Sequence, residues 1–413
     1  MKTLKARYQI ETSFELEEAA EILAGEQSSG TFIKIPGETR ELKEKSGAEV
    51  ESIQQTGVVS NPSLPGAKKV KGHPIKQAIV EVAWPYDNVG PNLPNLCATV
   101  AGNLFELNPF SGIKLLDIDI PDEFASYYPG PKFGVEGTRT LSGVFDRPMI
   151  GTIIKPSVGL TPEQTAQRVE TLIAAGLDFI KDDELMGDSP HSPFTKRVDC
   201  VMPVINEFAE KTGKKPMFAF NISGDLDDML RRHDYLLSKG GTCIMVNLNW
   251  VGISAGIKVA SHSQLPIHGH RNGWGIFDRS PAIGMAFPAY QKIWRVAGVD
   301  HIHTNGIRNK FCESDESVIS SIKSCLDPLF GGYPIMPVLS SGQWAGQAVD
   351  TYQQVQSIDL MYLCGGGIVA HPSGITAGVR SIQQAWEAAI QGISLATFAE
   401  QHQELKEALD FYG

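Results

Sequence analysis

The sequence lacks the features of membrane-spanning and secreted proteins. It has no apolar stretch long enough to cross a bilayer, and residues 1–7 do not contain the apolar core of a signal peptide. The six cysteines are scattered without a C-x-x-C pair, so we predict reduced thiols rather than a disulfide framework or a zinc site. We therefore expect a cytoplasmic protein.

Positive charge is also scarce. Lys and Arg number 36 against 47 Asp and Glu, which gives a net charge of -11, and no basic stripe offsets this acidity. Nucleic acids and anionic membranes are therefore not expected as partners, since both attract cationic surfaces. The chain of 413 residues is long enough for one barrel and a second domain of ordinary size.

The later part of the chain repeats one design eight times, an apolar run followed at once by a polar tip that bears glycine or a polar side chain. These runs lie at residues 149–155, 175–184, 217–221, 243–247, 266–271, 301–305, 335–342 and 361–367. Such runs are typical of parallel strands buried on both faces. Helical segments separate them, and one begins with the capping box Thr161-Pro162-Glu163-Gln164. The pattern predicts an α/β fold, a C-terminal (β/α)8 TIM barrel over residues 127–413.

The first third of the chain has a different order of elements. Strand-like runs lie at residues 5–10, 48–53, 77–84 and 113–118, and helix-like runs at 16–23 and 95–101. The order β-α-β-β-α-β is ferredoxin-like. A stretch rich in glycine and proline, residues 128–134, marks the boundary. We therefore predict an N-terminal ferredoxin-like α+β domain over residues 1–126.

In a barrel of this kind the active site lies at the carboxyl ends of the strands. The strand tips would bring together Lys155, Lys181, Asp183, Glu184, Asn221, His268, His270, His303 and Ser340. The segment Lys181-Asp182-Asp183-Glu184 offers carboxylate oxygens, the ligands that Mg²⁺ prefers. An ordinary ion pair at a strand end would have the same composition. The tips Ser340-Ser341-Gly342 and Gly365-Gly366-Gly367 could bind a phosphate through backbone N–H groups, although a triple glycine can also be a tight turn.

A family resemblance rests on these same motifs. The segment Gly176–Glu184 resembles the signature of the ribulose bisphosphate carboxylase (RuBisCO) large subunit and of its non-carboxylating form IV relatives, the RuBisCO-like proteins. The likeness covers nearly the whole chain, through Lys155-Pro156, His270-Arg271, His301-Ile302-His303, Lys310, Ser340 and Gly365-Gly366-Gly367. It implies that CO2 carbamylates Lys181 and that the carbamate, Asp183 and Glu184 hold Mg²⁺.

The resemblance also implies roles for the other residues. It makes Lys155, Lys181, His270 and Lys310 catalytic, with Lys155 in proton transfer or enolate stabilisation and Lys310 on a loop that closes over the substrate. Substrate and phosphate binding would fall to Arg271, His303, Ser340, Gly342, Gly365, Gly366 and Thr31. Glu26 and Asn103 would reach the active site of a neighbouring subunit, which implies a homodimer or an assembly of dimers. We interpret His268 as a barrel-wall histidine.

Several positions depart from the carboxylase pattern. Carboxylases have a second lysine where Ser157 stands, tryptophan at Phe32, histidine at Trp274 and glycine at Ser341. The loss of one cation and the change of wall residues alter the charge and shape offered to the substrate, while the metal-binding motif is intact. The departures therefore favour enolisation over CO2 fixation.

We expect a RuBisCO-like enzyme, an Mg-dependent lyase or isomerase that enolises a phosphorylated ketose or oxo sugar acid. The step after enolisation is left open and includes decarboxylation and carboxyl transfer. Lys155, His270 and Lys310 together favour a carboxyl-bearing intermediate. One alternative is the methionine-salvage 2,3-diketo-5-methylthiopentyl-1-phosphate enolase or isomerase, and another is ribulose-1,5-bisphosphate carboxylase. A non-catalytic scaffold or regulatory barrel and a Schiff-base aldolase that uses Lys155 or Lys181 are further alternatives.

Overall fold

The computed structural model describes residues 2–29 and 36–413, and the chain divides into two compact units. The first unit is Met1–Pro129 with Gly273–Val296, and the second is Gly130–Asn272 with Ala297–Gly413. The return of residues 273–296 to the first unit was not among our expectations. The division between residues 126 and 127 remains a prediction.

The first part of the chain forms four strands. In order, the elements are β1 (Thr3–Thr12), α1 (Leu16–Glu26), α2 (Arg40–Ser46), β2 (Glu49–Val59), β3 (Ile75–Pro85), α3 (Tyr86–Val89), α4 (Leu93–Ala101), a 3-10 helix (Asn103–Glu106), β4 (Phe110–Asp119) and a 3-10 helix (Asp122–Ser126). β1 alternates as the sequence suggests, and its Leu4, Ala6, Tyr8 and Ile10 are buried.

The second unit begins with one helix and then alternates strands with helices. Its elements are α5 (Gly134–Ser142), β5 (Met149–Ile153), α6 (Pro162–Ala174), β6 (Phe179–Lys181), α7 (Phe194–Thr212), β7 (Met217–Asn221), α8 (Leu226–Ser238), β8 (Cys243–Asn247), α9 (Leu248–Val251), α10 (Ile253–His262) and β9 (Ile267–His270). Residues 273–296, the excursion, belong to the first unit. The elements of this stretch are α11 (Gly275–Asp278), β10 (Ile283–Met285) and α12 (Phe287–Ala297).

The remaining elements complete the second unit. They are β11 (His301–His303), α13 (Asp315–Leu326), β12 (Met336–Leu339), a 3-10 helix (Ala345–Gln347), α14 (Ala348–Val355), β13 (Met361–Leu363), α15 (Gly366–Val369), α16 (Ile375–Gln391), α17 (Leu395–Ala399) and α18 (Gln403–Tyr412). Across residues 2–29 and 36–413, no helix combines the length and apolar character that a bilayer span requires.

The sheet of the first unit has the strand order β10-β4-β1-β3-β2. β1 lies antiparallel to both β3 and β4, and β2 lies antiparallel to β3, which confirms the ferredoxin-like prediction. β10 extends the sheet by pairing parallel with β4, with Ile283 opposite Ile113. This fifth strand lies within residues 273–296. It has only three residues, which are too few to give an apolar pattern in the sequence.

The second unit is a closed barrel in which β5, β6, β7, β8, β9, β11, β12 and β13 pair in that order, each parallel to the next. The eight predicted strands are all present, so the TIM barrel is confirmed. Its interior contains the side chains of Met149, Phe179, Met217, Cys243, Met245, Met336, Val338, Met361 and Leu363. Burial of these side chains on the inner face, with helices on the outer face, explains why the strands are apolar throughout.

The predicted capping box at the start of α6 is present. Thr161 Oγ1 accepts a hydrogen bond from the Gln164 backbone N–H at 3.2 Å, and Gln164 Oε1 accepts one from Thr161 N–H at 2.9 Å. After the helix, Gly176 adopts φ +94°, a conformation that favours glycine, and the chain turns there into β6. These two signals place the start of β6, and with it Lys181.

A buried ion pair secures the segment that follows β6. Asp182 Oδ2 accepts hydrogen bonds from Arg197 Nη2 at 3.1 Å and from the Asn221 backbone N–H at 3.0 Å. The side chains of Asp182 and Arg197 are 1% and 0% exposed. Arg197 lies in α7 and also donates to the carbonyl oxygens of Met186 and Gly187. The pair therefore fixes the loop after β6 against the adjacent helix and strand.

We expect Asp182→Ala to lower the free energy of unfolding by about 3 kcal/mol, because it leaves the Arg197 guanidinium buried without its carboxylate. Urea denaturation measures this change. Glu207→Ala is the matched control, since it removes the exposed pair of Glu207 with Lys211 and should cost less than about 1 kcal/mol. Equal losses in the two variants would contradict a structural role for the buried pair.

Candidate active site

The positions of the candidate site residues in the second unit follow from where the strands end. Lys181, Asn221, Asn247, His270 and His303 are the last residues of β6, β7, β8, β9 and β11. Ser340 directly follows β12, and Lys155 and Gly365 come two residues after β5 and β13. Because all eight strands are parallel, these positions lie at one end of the barrel.

Lys181 lies inside the barrel and is 1% exposed. Side chains alternate along a strand, so Lys181 shares the inward face of β6 with Phe179. Burial lowers the pKa of the Lys181 amine, while the neighbouring carboxylates of Glu184, Asp183 and Asp182 act in the opposite direction. Its Nζ donates to the Asp182 carbonyl oxygen at 2.9 Å and lies 3.8 Å from Glu184 Oε2. The amine is thus held beside a carboxylate in a place that disfavours its charge.

Lys155 contacts the second carboxylate of the motif. Its Nζ donates to Asp183 Oδ2 at 2.9 Å and to Ser157 Oγ at 2.6 Å. Burial alone would raise the pKa of Asp183, but hydrogen bonds from Lys155 and Ser157 and the charges of Lys155 and Lys181 outweigh it and lower the pKa. Asp183 is therefore an ionised, nearly buried carboxylate. Ser157, at the position where carboxylases have lysine, supports Lys155.

Two asparagines hold the backbone that carries these carboxylates. Asn221 Nδ2 donates to the Glu184 carbonyl oxygen at 3.1 Å, and Asn247 Nδ2 donates to the same oxygen at 2.9 Å. The Glu184 side chain extends beyond them and is 34% exposed. Sequence reasoning missed Asn247, although an asparagine ends both β7 and β8 and the same signal could have identified it.

His270 lies next to Glu184, and His303 lies next to His270. His270 Nε2 is 3.5 Å from Glu184 Oε2, and His270 Nδ1 accepts a hydrogen bond from the Asn272 backbone N–H at 3.2 Å. Burial holds the pKa of His270 well below its usual value, so the ring is neutral and its proton lies on Nε2, facing the carboxylate. The His303 ring is 4.3 Å from the His270 ring, centroid to centroid.

His303 connects this pair to the tip of β12. Its Nδ1 is 3.2 Å from Ser340 Oγ, and its Nε2 is 2.8 Å from Nε2 of His268. Ser340 Oγ lies 3.5 Å from Ser341 Oγ, which donates to Asn305 Oδ1 at 2.8 Å. His268 is fully buried and is linked to Ser340 through His303.

The guanidinium predicted to bind substrate is paired within the protein. Arg271 Nη2 donates to Glu313 Oε2 at 3.0 Å, and Asn305 Nδ2 donates to the same oxygen at 2.5 Å. Glu313 belongs to the loop after β11, far from any strand end. No sequence signal distinguished it from the surface glutamates.

The loop that carries Lys310 is attached to the tip of β12. The backbone N–H groups of Gly306 and Lys310 donate to the carbonyl oxygens of Ser340 and Ser341 at 3.0 and 3.1 Å. The Lys310 side chain is exposed, and its Nζ lies 5.3 Å from the centre of the Phe311 ring. The structure thus brings Lys310 to Ser341 but not into contact with Lys181 or Asp183.

Two of the predicted glycines leave open space around their backbones. A Cβ added at Gly365 or Gly366 would meet no atom within 4 Å, and Gly342 adopts φ +92°. Such backbones can be approached closely by an anion. The Gly366 carbonyl oxygen accepts a hydrogen bond from the Tyr412 hydroxyl at 2.9 Å.

Some predicted residues lie elsewhere. Thr31 and Phe32 are outside the described residues. Glu26 and Asn103 belong to the first unit, where Glu26 ends α1 and lines an open hollow of about 410 Å³ and Asn103 begins a 3-10 helix. Trp274 also belongs to the first unit, where its ring packs against Tyr290, centroids 4.7 Å apart. The roles predicted for these residues remain predictions.

The residues present fit a hard divalent cation. The carboxylates of Asp183 and Glu184 flank the buried Lys181 amine and offer oxygen ligands. Carbamylation would give Lys181 oxygen atoms as well. Burial favours the neutral amine, which is the form that reacts with CO2. The donor set therefore agrees with Mg²⁺ and a lysine carbamate.

A second group of potential metal ligands in the barrel unit does not fit a metal. His233, Asp234 and His262 have ligand atoms close together. However, His233 Nε2 accepts a hydrogen bond from the Gln264 backbone N–H at 3.1 Å. Burial lowers the pKa of His233, so the neutral ring has its proton on Nδ1, which faces Asp234 Oδ1 at 2.9 Å and cannot bind a metal in this form. We assign this group to hydrogen bonding between α8 and α10.

Two family models match most of the chain. Residues 3–124 match the N-terminal domain of the ribulose bisphosphate carboxylase large chain, and residues 134–412 match its catalytic domain. A crystal structure of a rubisco-like protein from Burkholderia fungorum superposes with a TM-score of 0.94 at 42% identity and covers 100% of both chains.

Two relatives are similar over almost their whole length. A 3-oxo-isoapionate-4-phosphate transcarboxylase/hydrolase of Xanthobacter autotrophicus is 50% identical over 409 residues, which cover 98% of each chain. A 3-oxo-isoapionate-4-phosphate decarboxylase of Rhizobium rhizogenes is 46% identical over 402 residues, which cover 96% of each chain. The chain belongs to the ribulose bisphosphate carboxylase large-chain family and is an enzyme of its RuBisCO-like branch.

Proposed function

We propose that this enzyme removes the carboxyl group of a phosphorylated 3-oxo sugar acid, 3-oxo-isoapionate 4-phosphate or a close analogue, with Mg²⁺ and a carbamate on Lys181 as cofactors. One observation carries the proposal most directly. The Lys155 ammonium is hydrogen-bonded to Asp183 at 2.9 Å, beside the Lys181 and Glu184 pair, while Ser157 replaces the second lysine of carboxylases. The names of the relatives with 46% and 50% identity support this choice of substrate.

The metal-binding residues are Asp183, Glu184 and Lys181. Asp183 and Glu184 supply carboxylates, and carbamylation would convert the buried amine of Lys181 into a third anionic ligand. When bound there, Mg²⁺ supplies a Lewis acid that polarises the oxygens of the substrate. Asn221 and Asn247 fix the carbonyl of Glu184, which holds the ligand-bearing backbone in place before the substrate arrives.

Decarboxylation of a 3-oxo acid breaks the bond between the carboxyl carbon and C2, and the electron pair moves to the C3 oxygen to give an enolate. Lys155 is suited to stabilise this negative charge, because its ammonium is fixed by Asp183 and Ser157. Transfer of a proton to C2, for which the Lys155 ammonium is the first candidate donor, then completes the reaction. His270 is the second candidate proton donor, because its protonated Nε2 lies 3.5 Å from Glu184 Oε2.

The rest of the substrate would contact the neighbouring tips. We assign its phosphate to the Ser340 hydroxyl and to the backbones of Gly342, Gly365 and Gly366, of which Gly365 and Gly366 lie in open space. Arg271 and Thr31 would be further contacts, and His303 would act through Ser340. Lys310 would close over the substrate when its loop moves. Glu26 and Asn103 would complete the site of a neighbouring subunit in a homodimer or an assembly of dimers.

Carboxyl transfer or hydrolysis is the second candidate reaction. It is favoured by the relative with 50% identity, whose name includes both activities. Decarboxylation releases the carboxyl carbon as CO2. Carboxyl transfer starts from the same enolate but passes that carbon to an acceptor atom, and hydrolysis consumes one water molecule.

We expect the purified enzyme to act on 3-oxo-isoapionate 4-phosphate in the presence of Mg²⁺ and bicarbonate, and not on ribulose bisphosphate or the methylthio diketo sugar phosphate of methionine salvage. Substrate labelled with ¹³C at the carboxyl carbon, followed by NMR, shows whether the label leaves as CO2 or appears in another product. Turnover of either other substrate, without turnover of the oxo acid, would sink the proposal.

We expect Asp183→Asn to lower kcat by about 100-fold or more, because one anionic ligand is lost and the Lewis acid is weakened. Mg²⁺ affinity, measured by calorimetry, should fall in parallel. Asp227→Asn is the control, since Asp227 is exposed in the first turn of α8. An Asp183→Asn enzyme with normal activity and Mg²⁺ affinity would remove the basis of the metal assignment.

We expect Lys155→Met to lower kcat by about 100-fold or more while Mg²⁺ still binds, because the variant loses a positioned proton donor but no proposed metal ligand. Steady-state kinetics and calorimetry on the same preparation separate the two effects. Lys196→Met, at an exposed position of α7, controls for the loss of one positive charge. Full activity of Lys155→Met would exclude a catalytic role.

A further inference from the structure

The buried polar chain from His268 to Ser340 can be assigned a direction. Its links are His268 Nε2 to His303 Nε2 at 2.8 Å and His303 Nδ1 to Ser340 Oγ at 3.2 Å. His268 is 0% exposed, His303 5% and Ser340 9%. Water therefore has little access, and the protein groups themselves must decide which atoms carry protons.

Both rings are neutral. Burial holds the pKa of His268 and of His303 well below the usual value. A neutral imidazole has one protonated and one unprotonated nitrogen. Since the two Nε2 atoms face each other, one must donate and the other must accept. Only two arrangements of the chain are then possible.

The free end of the chain distinguishes the two arrangements. His268 Nδ1 has no hydrogen-bond partner among residues 2–29 and 36–413. If Ser340 donated to His303 and His303 donated to His268, then His268 Nδ1 would be protonated and would be a buried N–H with no acceptor. If His268 donates to His303 and His303 donates to Ser340, then His268 Nδ1 is an unprotonated acceptor without a donor. Buried N–H groups without an acceptor are the rarer of the two in proteins.

We infer that His268 is a positioning residue, which donates from Nε2 to Nε2 of His303 and so keeps the His303 proton on Nδ1, where it is donated to Ser340. This assignment rests on the two contacts, on the neutrality of both rings and on the partnerless Nδ1 of His268. His268 does not touch the proposed substrate and acts through His303.

The consequence is a hydroxyl with a fixed role. Ser340 Oγ accepts from His303, so its own proton is available to donate. The nearest acceptor is Ser341 Oγ at 3.5 Å, a long contact, and Ser341 donates its own proton to Asn305. Ser340 can therefore donate to an anionic oxygen of a ligand, a carboxylate or a phosphate. This last step rests on the proposed function, whereas the direction of the chain does not.

The proton positions can be measured directly. The chain has 10 histidines, and ¹⁵N NMR of protein labelled only at histidine separates protonated from unprotonated ring nitrogens. The resonances of His303 and His268 are identified by their loss in His303→Gln and His268→Gln. We expect protonated Nδ1 in His303 and protonated Nε2 in His268. A proton on Nε2 of His303 would overturn the inference, whatever the enzyme catalyses.

Variants of His268 test whether it controls His303. His268→Leu removes the donor, so the Nε2–H form of His303 should become populated and Ser340 should donate to His303 instead of to the ligand. The dissociation constant for inorganic phosphate, followed by the shift of the His303 resonances, should rise about 10-fold. His268→Gln keeps an amide donor and should stay within about 3-fold of the parent.

The same variants separate this inference from the proposed substrate. With 3-oxo-isoapionate 4-phosphate we expect His268→Leu to raise KM and leave kcat nearly unchanged, a result that general destabilisation of the barrel would not give. If the oxo acid is not turned over at all, the proposed substrate fails and the proton and phosphate measurements still decide the inference. Unchanged His303 resonances and phosphate affinity in folded His268→Leu would show that Ser340 alone holds the ring.

Discussion

The alternation of side chains at the end of β6 is the constraint on which the site depends. In an extended chain, Lys181 and Asp183 lie on one side and Asp182 on the other. Asp182 is bound by the buried Arg197, so the segment cannot twist to exchange these sides. Lys181 and Asp183 therefore stay with Lys155, and Glu184 reaches His270. Asp182 thus stabilises the fold, whereas Asp183 and Glu184 remain available as the proposed metal ligands.

The cost of burying polar groups inside the barrel explains the arrangement of its histidines. Burial lowers the pKa of His301 to about 3, and His268, His270 and His303 are held neutral in the same way. Neutral rings accept and donate one hydrogen bond each, so they can be linked without a net charge inside the barrel. His301 is linked to Thr138 at 2.8 Å, and His303 is linked to Ser340. The polar interior is thereby compatible with a stable barrel.

Loops contribute to the site through contacts with strand tips. The loop after β11 is attached to Ser340 and Ser341 by backbone hydrogen bonds, and its Glu313 pairs with Arg271. These partners are distant in sequence, and neither hydropathy nor spacing connects them. The excursion of residues 273–296 could not be predicted either. Its strand β10 has three residues, too few for a periodic pattern, and its pairing with β4 is a tertiary contact.

The sequence by itself determined the barrel, the ferredoxin-like order and the positions of Lys155, Lys181, His270 and His303 at strand ends, because burial on both faces requires apolar runs and the chain must become polar where each run ends. It did not find the pairing of Asp182 with Arg197, nor Asn247, Glu313 or the link from His268 to His303. Those depend on which side chains meet across neighbouring strands and helices. Only the tertiary structure decides such meetings, since hydrogen bonds and ion pairs require distance and direction that a linear pattern does not contain.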